Sequence, residues 1–288
     1  MSLEEANLPI EERWSEIVQH VKAEYLSTAQ SYPWIVGFSG GKDSTVVVHA
    51  VFEALQAISP SQRTRPVHIV SNDTMVESPL VMAHLDDVSQ QIQAAVNSLS
   101  LPITVARTHP DSDKTFWVLL IGKGYPSPNQ QMRWCTDRLK IQPTSTYIKD
   151  NVSKHGAAVV VLGVRRTESV RRMRTVDKYE NERGTNLNPH SSIAGAYIFR
   201  PIVDLTTDDV WEILGSFPAP WGGTHTKLFQ LYRDAEGGEC PVVLSKDEAP
   251  GCGTKNSRFG CWTCTVVEKD KSLQGFVDSG QHAYKPLI

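Results

Sequence analysis

Ser39-Gly-Gly-Lys-Asp-Ser-Thr45 places two glycines, one lysine and three hydroxyls between an apolar run and a helix-forming run. A strand that turns into a helix puts outward-facing backbone N–H groups and the positive end of the helix dipole at that turn, which suits an anion. Gly40 and Gly41 let the backbone come close to a bound phosphate. Ser39, Ser44 and Thr45 add hydroxyls, and Lys42 adds a point charge. The spacing is neither the G-x-x-x-x-G-K-[ST] loop nor G-x-G-x-x-G. An ordinary turn, with Asp43 and Ser44 capping the helix, is the plainer reading of the same residues.

Other residues with chemical capacity fall at the ends of further apolar runs. "SNDTMVESP" carries Asp73 and Thr74, placed to meet a nucleotide, and Glu77, placed to orient a metal or substrate. "LGVRRTESVRRMR" offers Gly163 and five arginines in ten residues, namely Arg165, Arg166, Arg171, Arg172 and Arg174. Guanidinium groups bind phosphate bidentately, so Arg166, Arg171 and Arg172 are candidates for a phosphate-bearing substrate. In "RWCTDRLKIQP" a single Cys135 stands among Arg133, Arg138 and Lys140, neighbours that favour a thiolate. Cys240, Cys252, Cys261 and Cys264 follow with spacing C-x11-C-x8-C-x2-C. Four thiolates hold either zinc or an iron–sulfur cluster, and the spacing alone leaves both open.

The elements that position these residues can be read from the pattern. Trp14, Ile17, Val18, Val21 and Tyr25 predict an amphipathic helix over 11–30. Strands are expected at 33–38, 66–73, 103–109, 157–164 and 196–202, the fourth apolar throughout as in a central parallel strand. Helices are expected at 43–57, 79–99, 115–121, 134–155 with a break at Pro143, and 206–214. This alternation is that of an α/β domain, an open, mostly parallel twisted sheet with helices on both faces. Beyond residue 214 the pattern dissolves into Gly, Pro and Cys. The reading is therefore a domain over 1–214 and an irregular cysteine module over 215–288, folded with help from its metal.

The bulk composition is that of a globular chain: 288 residues, 40% hydrophobic and 21% charged. A net charge of −3 means that contact with nucleic acid needs a local basic patch. No apolar run is long enough to span a membrane, and the acidic N-terminal stretch is no secretory leader. A cytoplasmic protein is expected. Four of the five cysteines fall in the last fifty residues, which points to metal or redox chemistry rather than disulfides.

The loop SGGKDS resembles the PP-loop of the ATP pyrophosphatase superfamily. "FSGGKDST", "NDTMVESP", "GKGYPSP", "RWCTDRLKIQP", "LGVRRTESVRR" and "RFGCWTCTVVEKDKS" together resemble its PAPS reductase-like branch, most narrowly the DNA-phosphorothioation (Dnd) sulfurtransferases. The resemblance implies an adenine nucleotide alpha hydrolase-like fold that cleaves ATP to AMP and pyrophosphate. It implies ATP on Ser39, Gly40, Gly41, Lys42, Asp43, Ser44, Asp73, Gly163 and Arg165, with Lys42 and Asp43 catalytic and Mg2+ accompanying the nucleotide. It implies a DNA substrate engaged by Arg133, Arg166, Arg171 and Arg172, and a [4Fe–4S] cluster on the four late cysteines. Cys135 becomes the sulfur-carrying thiol, loaded by a cysteine desulfurase, and further phosphorothioation subunits are implied as partners. Two departures separate the chain from APS and PAPS reductases: "GECPVV" lacks their Glu-Cys-Gly-x-His ending, and "RWCT" has no adjacent cysteine pair. A sulfonucleotide reductase, a tRNA thiolation enzyme and a catalytically degenerate nucleotide-binding subunit are the alternatives.

Overall fold

The computed structural model describes residues 8–27, 32–168, 186–235, 259–266 and 269–288. Elements are numbered here in chain order over those residues: α1 Ile10–Leu26, β1 Trp34–Gly37, α2 Lys42–Gln56, β2 Val67–Asn72, α3 Pro79–Leu99 and β3 Ile103–Thr108. There follow α4 Gln142–His155, β4 Ala158–Val161, β5 Asn188–Pro189, β6 Ala196–Phe199, α5 Thr207–Ser216, α6 Thr226–Ala235 and α7 Lys271–Asp278. The six strands form one sheet in the order β3-β2-β1-β4-β6-β5. β1 runs parallel to both β2 and β4, β4 runs parallel to β6, and the short β5 is antiparallel to β6. This is the expected α/β architecture, a mostly parallel sheet flanked by helices.

The chain leaves β1 toward β2 on one side of the sheet and returns to β4 on the other. That reversal is the switch point where open α/β sheets take their ligands. Two compact units are present. The first is Met1–Val70, Val88–Ala106 and Ile148–His225; the second is Ser71–Asp87, Arg107–Tyr147 and Thr226–Ile288. The units interleave along the chain, where the sequence pattern draws one boundary after residue 214.

In the first unit α2 is buried on nearly every side, with Val46, Val47, Val48, Ala50 and Phe52 almost fully enclosed. α1 covers it and is tied to α5 by a buried bidentate pair, Arg13 Nη1 to Asp209 Oδ1 at 2.7 Å and Nη2 to Oδ2 at 2.8 Å. Asp209 also closes a capping box with Thr206. Beside this pair runs a polar chain that the sequence pattern did not suggest. Trp14 Nε1 donates to Glu53 Oε2 at 3.0 Å, Glu53 Oε1 lies 2.7 Å from His49 Nε2, and His49 Nδ1 lies 3.3 Å from His225 Nε2.

The structure departs from the sequence reading mainly in the second unit. The aromatic helix expected at 115–121 is a π-helical turn, Val118–Gly122. The helix expected from 134 does start there, passes through a second π turn, Thr136–Ile141, and continues as α-helix from Gln142. Pro143 falls just after this π turn, the position at which the sequence predicts a break. The stretch from 215 is not wholly irregular: α6 and α7 are helices, and α6 buries Leu228, Leu231, Tyr232 and Ala235 at helical spacing. Phe259 bridges them, edge-on to Tyr232 and stacked on Phe276. The helices approach so closely that a Cβ on Gly275 would run into the Ala235 carbonyl.

Two outcomes follow for stability. Gly275→Ala forces that crossing apart and lowers unfolding free energy by about 1–3 kcal/mol, read from a denaturant midpoint. At Asp209 burial works against the charge, but the bonds from Arg13 and Thr206 prevail and hold its pKa below the ordinary carboxylate value. A depressed carboxylate stabilises the fold above its unfolded pKa of about 3.9, and the contribution fades as pH falls through the folded value. Replacing Arg13 with Met therefore flattens the acid limb of a stability-versus-pH curve below about pH 4.

Candidate nucleotide site and thiol cluster

The phosphate-loop candidates gather in the first unit at the switch point. β1 ends at Gly37, and Gly40 takes φ +72°, a left-handed conformation that a side chain resists. Gly41 is the N-cap of α2 and offers no side chain to the first-turn N–H groups. Those donors point to where a phosphate would sit. The hydroxyls shape the loop. Ser44 Oγ donates to the Gly41 carbonyl at 2.9 Å and accepts the Ser39 N–H at 3.2 Å, while Thr45 Oγ1 bonds the same carbonyl at 2.9 Å. Ser39 Oγ lies 3.1 Å from Ser44 Oγ.

Gly163 and Arg165 come to this loop from the end of β4. A Cβ on Gly163 would lie 2.9 Å from the Asp43 carbonyl carbon and 3.2 Å from the Ser44 nitrogen, so only glycine allows the approach. Arg165 is 2% exposed. Its Nε donates to Asp43 Oδ1 at 2.6 Å, and its Nη1 lies within hydrogen-bonding range of Thr167 Oγ1, the Leu205 carbonyl and Thr207 Oγ1. Lys42 Nζ is 3.2 Å from Asp43 Oδ2. Both carboxylate oxygens of Asp43 are thus engaged by cations, which makes Asp43 a positioning residue for Lys42 and Arg165. Arg166 bonds Asp204 at 3.1 Å. Arg171 and Arg172 lie outside the described residues.

The second unit gathers the thiols. Cys135 stands at the start of the Thr136–Ile141 turn and, with Cys261, packs against a small core of Val76, Phe116 and Leu139. Cys261 pairs with Glu77 in an isolated bridge, and the Cys264 N–H donates to the Cys261 carbonyl at 3.0 Å. Thr74, fully buried, donates to Glu77 Oε1 at 3.0 Å and lies 3.7 Å from Cys261 Sγ. Lys140 Nζ sits 3.0 Å from Glu77 Oε1. Burial alone would lower the Lys140 ammonium, but Glu77 and the two thiol sites raise it on balance. Burial, reinforced by Glu77, pushes the Cys261 thiol up to about 11. Asp73 spends its side chain on a turn, accepting the Met75 N–H at 2.7 Å. Arg133 is exposed. Glu77 and Thr74 were visible in sequence as polar residues after β2; their tie to Cys261, nearly two hundred residues on, was not.

Two of the four expected cluster ligands, Cys240 and Cys252, lie outside the described residues. Among the described residues no group of three or more His, Cys, Asp or Glu is placed to hold a metal. Cys261 and Cys264 are free thiols on one tight turn, and between them the buried Thr263 hydroxyl has no partner among the described residues. A donor stranded beside thiols is what a sulfur-ligated metal group satisfies.

Residues 33–267 match the model of the phosphoadenosine phosphosulfate reductase domain. The chain belongs to that family. This PAPS reductase-like chain therefore carries a nucleotide-binding domain of an enzyme family related to the PP-loop ATP pyrophosphatases. It is 25% identical over 197 residues to the uncharacterized protein MJ0066 of Methanocaldococcus jannaschii, a match over 68% of this chain. The chain spans only 34% of the length of that curated relative. Among solved structures it is similar to an NAD+ synthetase from Burkholderia pseudomallei, at TM-score 0.48 and 12% identity over 98% of this chain and 87% of that one. It is also similar to the PAPS reductase of Candida auris, at TM-score 0.43 and 12% identity over 75% and 87% of the two chains. Among the described residues no helix is long and apolar enough to cross a membrane.

The Asp43–Arg165 pair gives the next testable outcome. Asp43→Asn leaves a buried guanidinium without its counter-charge, so stability falls by about 3 kcal/mol in a denaturant titration. Arg165→Lys, which keeps the charge but not the fork of donors, loses a smaller part of that stability.

Proposed function

We propose that this chain is an ATP pyrophosphatase and sulfurtransferase that activates a DNA backbone phosphate so that sulfur replaces a non-bridging oxygen. The observation that carries the reading is the pre-shaped SGGKDST loop at the switch point, its first-turn N–H groups uncapped by any side chain. In this reading the β- and γ-phosphates of ATP rest on those N–H groups, and Mg2+ arrives as the counterion of the nucleotide. A DNA phosphate oxygen attacks the α-phosphorus; the bond to the β-phosphate oxygen breaks and pyrophosphate leaves. Lys42, held by Asp43, offsets the charge gathering on the leaving group. AMP is then the leaving group at the DNA phosphorus.

A persulfide on Cys135, loaded by a cysteine desulfurase, supplies the sulfur. Its outer sulfur attacks the DNA phosphorus, forming the P–S bond as the bond to AMP breaks. A small thiol reductant then cleaves the S–S bond, leaving the phosphorothioate and a mixed disulfide on Cys135. A second equivalent of thiol frees Cys135. Cys240, Cys252, Cys261 and Cys264 would hold an iron–sulfur cluster, which supplies cross-links that fold the cysteine module. Cys135 and Cys261 border one small core, so the proposed sulfur carrier lies in the same unit as the late cysteine turn. DNA, the desulfurase and the other phosphorothioation subunits are the partners in this reading.

The test is pyrophosphate release from ATP with and without DNA. DNA-stimulated release supports the reading, and Lys42→Ala should lower kcat/KM at least 100-fold, about 2.7 kcal/mol. Cys135→Ser should keep pyrophosphate release but lose DNA sulfur incorporation. Sulfite release from a sulfonucleotide, with no response to DNA, would instead make the protein a reductase.

A further inference from the structure

Of the arginines that follow β4, the two described ones are already engaged. Arg165 is buried and committed to Asp43, and Arg166 is tied to Asp204. A different surface, wholly within the second unit, has the required chemistry. Between Lys114 and Lys140 the chain carries five cations and one acid, against a net charge of −3 for the whole protein. Its three lysines each meet a carboxylate: Lys114 meets Asp111, Lys123 meets Asp113 and Lys140 meets Glu77. Arg138 meets Asp137 at a longer 3.7 Å, while exposed Arg133 meets no carboxylate among the described residues. The uncompensated charge among these five cations is therefore the Arg133 guanidinium.

Those cations edge an aromatic array. Trp134, next to Arg133, stacks on Phe116 with ring centres 5.5 Å apart, and Phe116 meets Trp117 edge-on at 5.1 Å. Trp262 supports Trp117 from 6.0 Å. The Trp134 indole N–H is anchored on the Pro126 carbonyl at 2.8 Å, which fixes the array. Its outermost member, Trp117, is 44% exposed, and Ile121 beside it is 75% exposed. Arg133 and Arg138 flank the Trp134–Cys135 segment that packs against Phe116, and Lys114 precedes Trp117 by three residues. The charges and rings thus occupy one neighbourhood. A braced, exposed indole in the same unit as the Arg133 and Arg138 guanidinium groups offers a stacking face for a base and forks for phosphates.

We propose that Trp117, Arg133 and Arg138 form the docking surface for a nucleic-acid strand, with an unstacked base on Trp117 and backbone phosphates on the two arginines. The inference rests on DNA as the substrate and names where the strand lies. Its geometric consequence is that the strand passes Cys135, which adjoins Trp134 and packs against Phe116 of the same array.

The test uses the full chain and a short dye-labelled single-stranded DNA, read by fluorescence anisotropy across a salt series. Trp117→Ala should weaken binding about 10-fold, and Trp117→Phe should restore most of it. Arg133→Ala should reduce the slope of log affinity against log salt by about 0.7. Unchanged thermal unfolding midpoints show that the variants fold. If the wild-type chain binds DNA and all three variants bind equally well, this surface is not the docking site and its aromatic face belongs to a protein partner. If the wild-type chain binds neither single- nor double-stranded DNA even at low salt, the DNA substrate itself is overturned.

Discussion

One ion pair organises the nucleotide side of this protein. Arg165, at the end of β4, reaches Asp43 in the first turn of α2, and the two segments meet with no room for a side chain on Gly163. Separating them would strand a buried guanidinium, a cost of several kcal/mol. The pair therefore sets where α2 begins relative to β4, and so where its free N–H groups point. Lys42 is held by the other oxygen of the same carboxylate. A residue that the motif presents as a reacting group turns out to align the two cations beside it.

The thiol side depends on a different kind of constraint. Val76, Phe116 and Leu139 form a core of only a few side chains, and it is bordered by Cys135, Trp134 and Cys261. These residues come from four separate stretches of sequence, around 76, 116, 134–139 and 261. The turn at Cys261–Cys264 is fastened through the Trp262 N–H to the Val76 carbonyl at 3.1 Å, and Thr265 bonds the Pro128 carbonyl at 2.6 Å. The loop before Cys135 and the late cysteine turn thus stabilise each other.

Much of the sheet was legible in the residues. Runs such as "PWIVGF" and "AAVVVLGV" are apolar because their strands are buried on both faces, and the loop after the first run falls at the switch point as parallel topology requires. The two-residue β5 was not legible, since so short a strand has no period to detect. α6 and α7 were hidden by the Gly-, Pro- and Cys-rich stretch that separates them, although Leu228, Leu231, Tyr232 and Ala235 do keep helical spacing. The π turns at Val118–Gly122 and Thr136–Ile141 have no hydrophobic period that separates them from ordinary helix. The same holds at the sites. A motif can nominate Lys42, Gly163 and Cys135, but the burial of Arg165 and the pairing of Glu77 with Cys261 arise from chain segments that composition cannot bring together.

The left-handed turn at Gly40 has a last consequence. With that backbone set by an achiral residue and locked by the hydroxyls of Ser44 and Thr45, the loop adopts its concave form as the chain folds. The loss of conformational freedom is taken at that stage, so an arriving anion meets an ordered cradle and need not organise one. Affinity for the anion then reports the contacts themselves rather than the difference between contacts and ordering.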